Sequence, residues 1–94
     1  MLSKETLYSL LNQYMQAQIN TLNFCDQFSM AYDLETDHDE FSNKERELFG
    51  NLSIYIDRYS PFEEDFLKFP GVYHTEKEIQ EKAKETAKLL GIIK

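Results

Sequence analysis

Between residues 48 and 59 the apolar side chains Leu48, Phe49, Leu52, Tyr55, Ile56 and Tyr59 fall at i, i+1, i+4, i+7, i+8 and i+11. Only an α-helix brings that spacing onto one face, so the stretch predicts about three turns with a continuous apolar stripe. Ser42-Asn43-Lys44-Glu45 reads as a capping box that opens this helix. Pro61 closes it, because the residue before a proline is pushed out of helical backbone. Gly50 lies off the stripe and costs about 1 kcal/mol of helix propensity against alanine.

The same period recurs in three other places. Leu7, Leu10, Leu11, Tyr14 and Met15 follow an N-cap at Ser3, with Leu2 and Leu7 spaced as a hydrophobic staple. Phe24, Cys25, Phe28, Ala31 and Tyr32 follow a cap at Asn20, stapled by Ile19 and Phe24. Ile79, Ala83, Ala87 and Leu90 follow a second capping box, Thr75-Glu76-Lys77-Glu78, with Gly91 placed as the residue just past the helix end. Helices near 3–18, 20–33, 43–59 and 75–90, joined by short connections, predict an all-α chain: a small antiparallel four-helix bundle forming a single domain over residues 1–94. Residues 61–74 carry Phe62, Phe66, Leu67, Phe69, Val72 and Tyr73, too many apolar groups for a free loop. They predict an ordered crossing segment pinned by its aromatics, with one short helical turn joining Phe62 to Phe66 before Pro70-Gly71 turns the chain.

A chain of 94 residues has room for one core, and 41% hydrophobic content with five Gly and Pro residues in all excludes collagen-like and disordered classes. Apolar runs stay far below the ~18 residues that cross a bilayer, and the single Cys25 excludes an intrachain disulfide framework. These features predict a cytoplasmic protein that binds no membrane. Charge is unevenly spread: net −1 over residues 1–32, −8 over 33–65 and +2 over 66–94, for −7 overall. The acidic middle third repels nucleic acid and anionic lipid and attracts a basic protein.

Asp37-His38-Asp39-Glu40 is the one cluster with metal-ligand chemistry, but adjacent loop residues point in divergent directions, and His74 is read as having no acidic ligand partner at helical spacing. Cys25 lies between Phe24 and Phe28, where a thiol is a small inert hydrophobe. Without a phosphate loop, a catalytic triad or paired cysteines, the sequence predicts no enzyme, no cofactor and no metal. The candidate residues are those of a contact surface. Asp37, Asp39 and Glu40 precede the third helix, whereas Asp57, Glu63, Glu64 and Asp65 follow it, and Tyr59 offers contact area with a polar handle. A helix about 25 Å long would hold these groups apart unless the crossing segment folds back, and its aromatics predict that it does. Glu63, Glu64 and Asp65 are the stronger candidates, because aromatics flank them.

The pattern of types and spacings resembles the bacterial self-protective colicin-like immunity proteins, the group that includes the immunity protein of colicin D. Four features carry the likeness: a Leu/Tyr helix running into Ile19-Asn20-Thr21-Leu22-Asn23-Phe24 and Phe28; the acidic connection; a helix ending in Asp57-Arg58-Tyr59-Ser60-Pro61; and a closing Glu/Lys helix after a short crossing. The resemblance implies a four-helix bundle that covers the basic active site of a cognate nuclease toxin, in the colicin D case one that cleaves transfer RNA. The alternative reading is an acidic helical adaptor or regulator of a non-nuclease partner.

Overall fold

The computed structural model describes residues 4–35 and 38–93, so the Ser3 cap, Leu2 and Asp37 lie outside the described residues. The fold is all-α. Among the described residues five α-helices run in the order α1 (Lys4–Met15), α2 (Thr21–Met30), α3 (Asn43–Asp57), α4 (Glu63–Lys68) and α5 (Glu76–Leu89). A π-helical turn, Ala31–Glu35, prolongs α2, and a 3-10 turn spans His38–Glu40. Among the described residues there is no β-strand, only one isolated parallel bridge between Tyr59 and His74.

The ends of the helices follow from local chemistry. Asn20 caps α2 by accepting the Asn23 N–H at 2.8 Å, and both capping boxes form in full, Ser42 with Glu45 and Thr75 with Glu78. Gly91, at φ 81°, terminates α5 while the Gly91 and Ile92 N–H groups bond back to Lys88 and Ala87, the pattern that favours glycine just past a helix end. The first helix stops at Met15, three residues short of the expected end. Ala17 adopts φ 58°, and the Ala17 and Gln18 N–H groups return to the carbonyls of Tyr14 and Gln13. This is the same closing motif with an alanine in the left-handed position.

Helices α1, α2, α3 and α5 share one core. Leu7 and Leu11, Phe24 and Phe28, Phe49 and Leu52, and Ile79 with Ala83 and Ala87 are all fully buried there. The aromatic rings form a chain through it: Tyr14 stacks on Phe24 at 4.2 Å, and Phe28 meets Phe49 at 6.0 Å. Tyr8 and Phe41 then touch Phe49, both at 5.4 Å. Each such ring removes enough apolar surface from water to stabilise the fold by about 2–3 kcal/mol. Phe41, from the acidic connection, is part of this core. Leu48, Tyr55 and Tyr59 of the α3 stripe are only half-buried.

Among the described residues Glu45 is the buried charge. One carboxylate oxygen accepts Ser42 N–H at 2.9 Å and Lys4 Nζ at 3.0 Å, and the other accepts the Tyr8 hydroxyl at 2.5 Å. The capping residue of α3 thereby ties its helix to α1. These donors, the Ser42 backbone bond first, hold the Glu45 carboxyl at about 2, and burial with the neighbouring carboxylate pushes Tyr8 up to about 12. A carboxyl lowered on folding stabilises the protein above its ordinary value of 4.5 and loses that contribution as pH falls toward 2. Glu45→Gln should therefore cost roughly 2 kcal/mol at pH 7, a difference from the wild type that shrinks between pH 4.5 and 2 in urea unfolding. Ala17→Gly should raise stability by up to about 1 kcal/mol, because it relieves the left-handed strain at an exposed site. A thermal melt of that single variant checks it.

Candidate partner-binding surface

Beyond α3 the chain leaves the core and returns to the point it left. The His74 N–H donates to the Arg58 carbonyl at 2.7 Å, and the Ser60 N–H donates to the His74 carbonyl at 3.2 Å. Residues 61–73 are thus an excursion closed at its base by two backbone hydrogen bonds. Buried Ser60 starts it: its hydroxyl donates to the Asp65 carboxylate and accepts the Phe62 N–H at 3.1 Å. That pairing winds the six residues of α4 in a segment too short to be helical by propensity alone. Pro70-Gly71 then reverses the chain, with Gly71 at φ 82° and the Val72 N–H bonded to Phe69 O at 3.2 Å, as a type II turn requires.

Side chains lock the returning strand. The His74 ring stacks on Tyr55 of α3 with centroids 4.2 Å apart and planes 5° from parallel. Contrary to the reading of His74 as lacking an acidic partner at helical spacing, its Nδ1 lies 3.2 Å from a carboxylate oxygen of Glu78, four residues on, and Lys82 Nζ sits 5.2 Å from the centre of the Tyr55 ring. Glu78 is held by the Thr75 N–H of its capping box and then by His74, which together lower its pKa. The clasp therefore joins α3, the end of the excursion and the first turns of α5.

The aromatics of the crossing segment do less than the sequence led one to expect. Phe66 and Phe69 both pack edge-on against Tyr73, at 6.4 and 6.3 Å. Phe62 is nevertheless 66% exposed, Leu67 77% and Phe69 52%. The core is already filled by Phe24, Phe28 and Phe49, and the backbone bridge closes the excursion without their help. The outcome is an exposed apolar patch on a fixed support.

The expected acidic groups occupy separate places. Asp39 and Glu40 are exposed in the turn before α3, where the Glu40 carbonyl accepts Lys4 Nζ at 3.3 Å. Asp57 faces Asp33 and accepts a hydrogen bond from Ser29; burial first, and then Asp33, raise its pKa. Glu63 and Glu64 are exposed on α4, Glu64 loosely paired with Lys68 at 4.0 Å, whereas Asp65 is half-buried against Ser60. Because the excursion returns to Arg58, its acids stay at the C-terminal end of α3, about 22 Å of helix away from Asp39 and Glu40. The fold-back expected to join the two groups goes instead to the excursion's own base.

Tyr59 and Glu63 do come together. With Ser60, Pro61, Phe66, Thr75 and Glu76 they line an open groove of about 420 Å³ between the excursion and the start of α5. Cys25 is buried, and burial, reinforced by Asp26, pushes its thiol up to about 12; it stays protonated at neutral pH. Among the described residues no three His, Cys, Asp or Glu side chains gather as a metal's ligands would. Among the described residues no helix is long and apolar enough to cross a membrane. No protein-family model, curated protein or solved structure matches the chain. The chemistry of this surface, exposed apolar side chains beside carboxylates, is therefore what points to a function.

The sequence marked Phe62 only as an aromatic flanking Glu63, and it did not assign Leu67, Phe69 and Glu76 to the surface. The available signal was an apolar segment without a helical stripe, bracketed by Pro61 and Pro70-Gly71. If the clasp orders the excursion, His74→Ala should speed trypsin cleavage after exposed Lys68 about five- to tenfold, matching the loss of about 1 kcal/mol of ring stacking. The core's melting transition should hardly move.

Proposed function

We propose that this protein is an immunity-type inhibitor that binds a basic partner, a cognate nuclease toxin, through the excursion after α3 and blocks its active site by occlusion. The observation that carries the reading is the pairing of exposed Phe62, Leu67 and Phe69 with the carboxylates of Glu63 and Glu64 on a clamped support. The −8 balance of residues 33–65 and the resemblance to colicin-like immunity proteins point the same way. On this reading α1, α2, α3 and α5 form the antiparallel four-helix bundle, α4 is the inserted contact element, and the protein acts in the cytoplasm of the toxin-producing cell without catalytic groups of its own.

The division of labour is physical. Carboxylates steer a basic partner over about a Debye length, so they set the association rate and its salt dependence. Apolar side chains desolvated in the contact slow dissociation. Asp65 has a structural duty toward Ser60, so Glu63 and Glu64 are the clean residues to neutralise. Glu63→Gln/Glu64→Gln should slow association with the nuclease encoded beside this protein about tenfold at low salt and weaken protection of co-expressing cells. Asp39→Asn/Glu40→Gln, at the far end of α3, should have the smaller effect. Full protection by both variants, with unchanged salt dependence of binding, rejects occlusion by the acidic face. Stable capture of a partner without nuclease activity would favour the adaptor reading.

A further inference from the structure

We infer that the groove beside the excursion is a receptor for a single arginine side chain of the partner protein. The inference rests on the reading of that partner as basic and adds which of its groups is recognised, and where. Two carboxylates border the groove from different elements, Glu63 from the first turn of α4 and Glu76 from the first turn of α5. Both are exposed, and neither has an ion-pair partner among the described residues. Two half-buried aromatic residues, Tyr59 and Phe66, share the lining with them, and the charge of Glu76 is felt at the Tyr59 hydroxyl. A volume of about 420 Å³ accommodates an arginine side chain with room for water.

A guanidinium is planar, weakly hydrated and permanently charged, so it can lie on an aromatic face while its edge donates to carboxylates. An ammonium is a strongly hydrated point charge and uses only half of these features. A phosphate or carboxylate ligand would meet Glu63 and Glu76 with the wrong sign. The groove's position fits a docking role, because the exposed Phe62 adjoins Pro61 and Glu63 of its lining. An arginine seated here would bring the surrounding partner surface onto the apolar patch.

The test needs no toxin. The full-length protein, labelled with nitrogen-15, is titrated with N-acetyl-arginine N-methylamide, and in parallel with the corresponding capped citrulline and capped lysine. Amide shifts at residues 59, 60, 62–66 and 75–76 that saturate with capped arginine, are absent with the neutral isostere and are weaker with capped lysine are the expected result. Glu63→Gln/Glu76→Gln should lower the capped-arginine affinity about tenfold or more, and Tyr59→Leu severalfold. Neither Glu63 nor Glu76 belongs to a capping box, so the fold should survive, which a circular dichroism melt verifies. Equal shifts from citrulline, shifts mapping elsewhere, or undiminished binding to the double glutamine variant would overturn the proposal. Because the probe is independent of any nuclease, failure here leaves the co-expression result standing, and loss of the nuclease reading leaves this titration standing.

Discussion

Two backbone hydrogen bonds, from His74 N–H to Arg58 O and from Ser60 N–H to His74 O, decide where the surface of this protein lies. Without them residues 61–73 would be a flexible loop whose apolar side chains collapse wherever they find cover. With them the loop must leave and re-enter at one point, so its entropy is spent once, at the base. The stacking of His74 on Tyr55 and the Glu78 contact make that base rigid in directions the backbone bonds leave soft. Ser60 and Asp65 then settle the first turn of α4. A contact element held in this way loses little freedom on binding, which is the main cost that limits loop-mediated recognition.

The core explains why the excursion is free to serve as a surface. A domain of this size buries a limited area, and here that area is taken up by rings from α1, α2, α3 and the segment before α3. Phe24, Phe28 and Phe49 are fully buried and leave no opening for Phe62 or Leu67. Glu45 supports the same arrangement from the other end of α3. A buried carboxylate is costly unless fully hydrogen-bonded, and satisfying it requires Lys4 and Tyr8 of α1 together with Ser42. The register of α1 against α3 is thereby fixed by chemistry more specific than apolar contact.

Local signals in the chain were legible where the physics is local. Both capping boxes, the Asn20 cap and the Gly91 terminator act within a few residues and were visible as spacings in the sequence. The stripe from Leu48 to Tyr59 announced its helix, although Leu48, Tyr55 and Tyr59 lie at its half-buried edge and Glu45 is buried in front of it. The early end of α1 was hidden, because alanine at position 17 gives no warning of a left-handed conformation that glycine would have advertised. Less legible still was the fate of the crossing segment. Six apolar residues in fourteen suggest burial, but whether the core has space for them is a property of the packed whole. The pairing of Arg58 and Ser60 with His74 is a backbone contact across the excursion that no side-chain pattern encodes. Asp39, Glu40, Glu63 and Glu64 are exposed, as carboxylates off an apolar stripe are expected to be, while their distribution over the surface depends on that one closure.

The electrostatics of the groove follow from the same closure. It brings the first turn of α4 beside the first turn of α5, and each carries acids there: Glu63, Glu64 and Asp65 on one, Glu76 and Glu78 on the other. Carboxylates at helix starts are favoured by the exposed N–H groups and the helix dipole, so the chain can gather negative charge at this point with a smaller folding penalty than on a helix flank. Asp65 and Glu78 use that charge internally, on Ser60 and on Thr75 with His74. Glu63 and Glu76 have no ion-pair partner among the described residues, and both are exposed in the groove that Tyr59 and Phe66 also line. A cation entering the groove would gain from both carboxylates. The contribution to partner affinity would thus be larger than either carboxylate could supply alone, and it would depend on the backbone bridge that holds the two helix starts side by side.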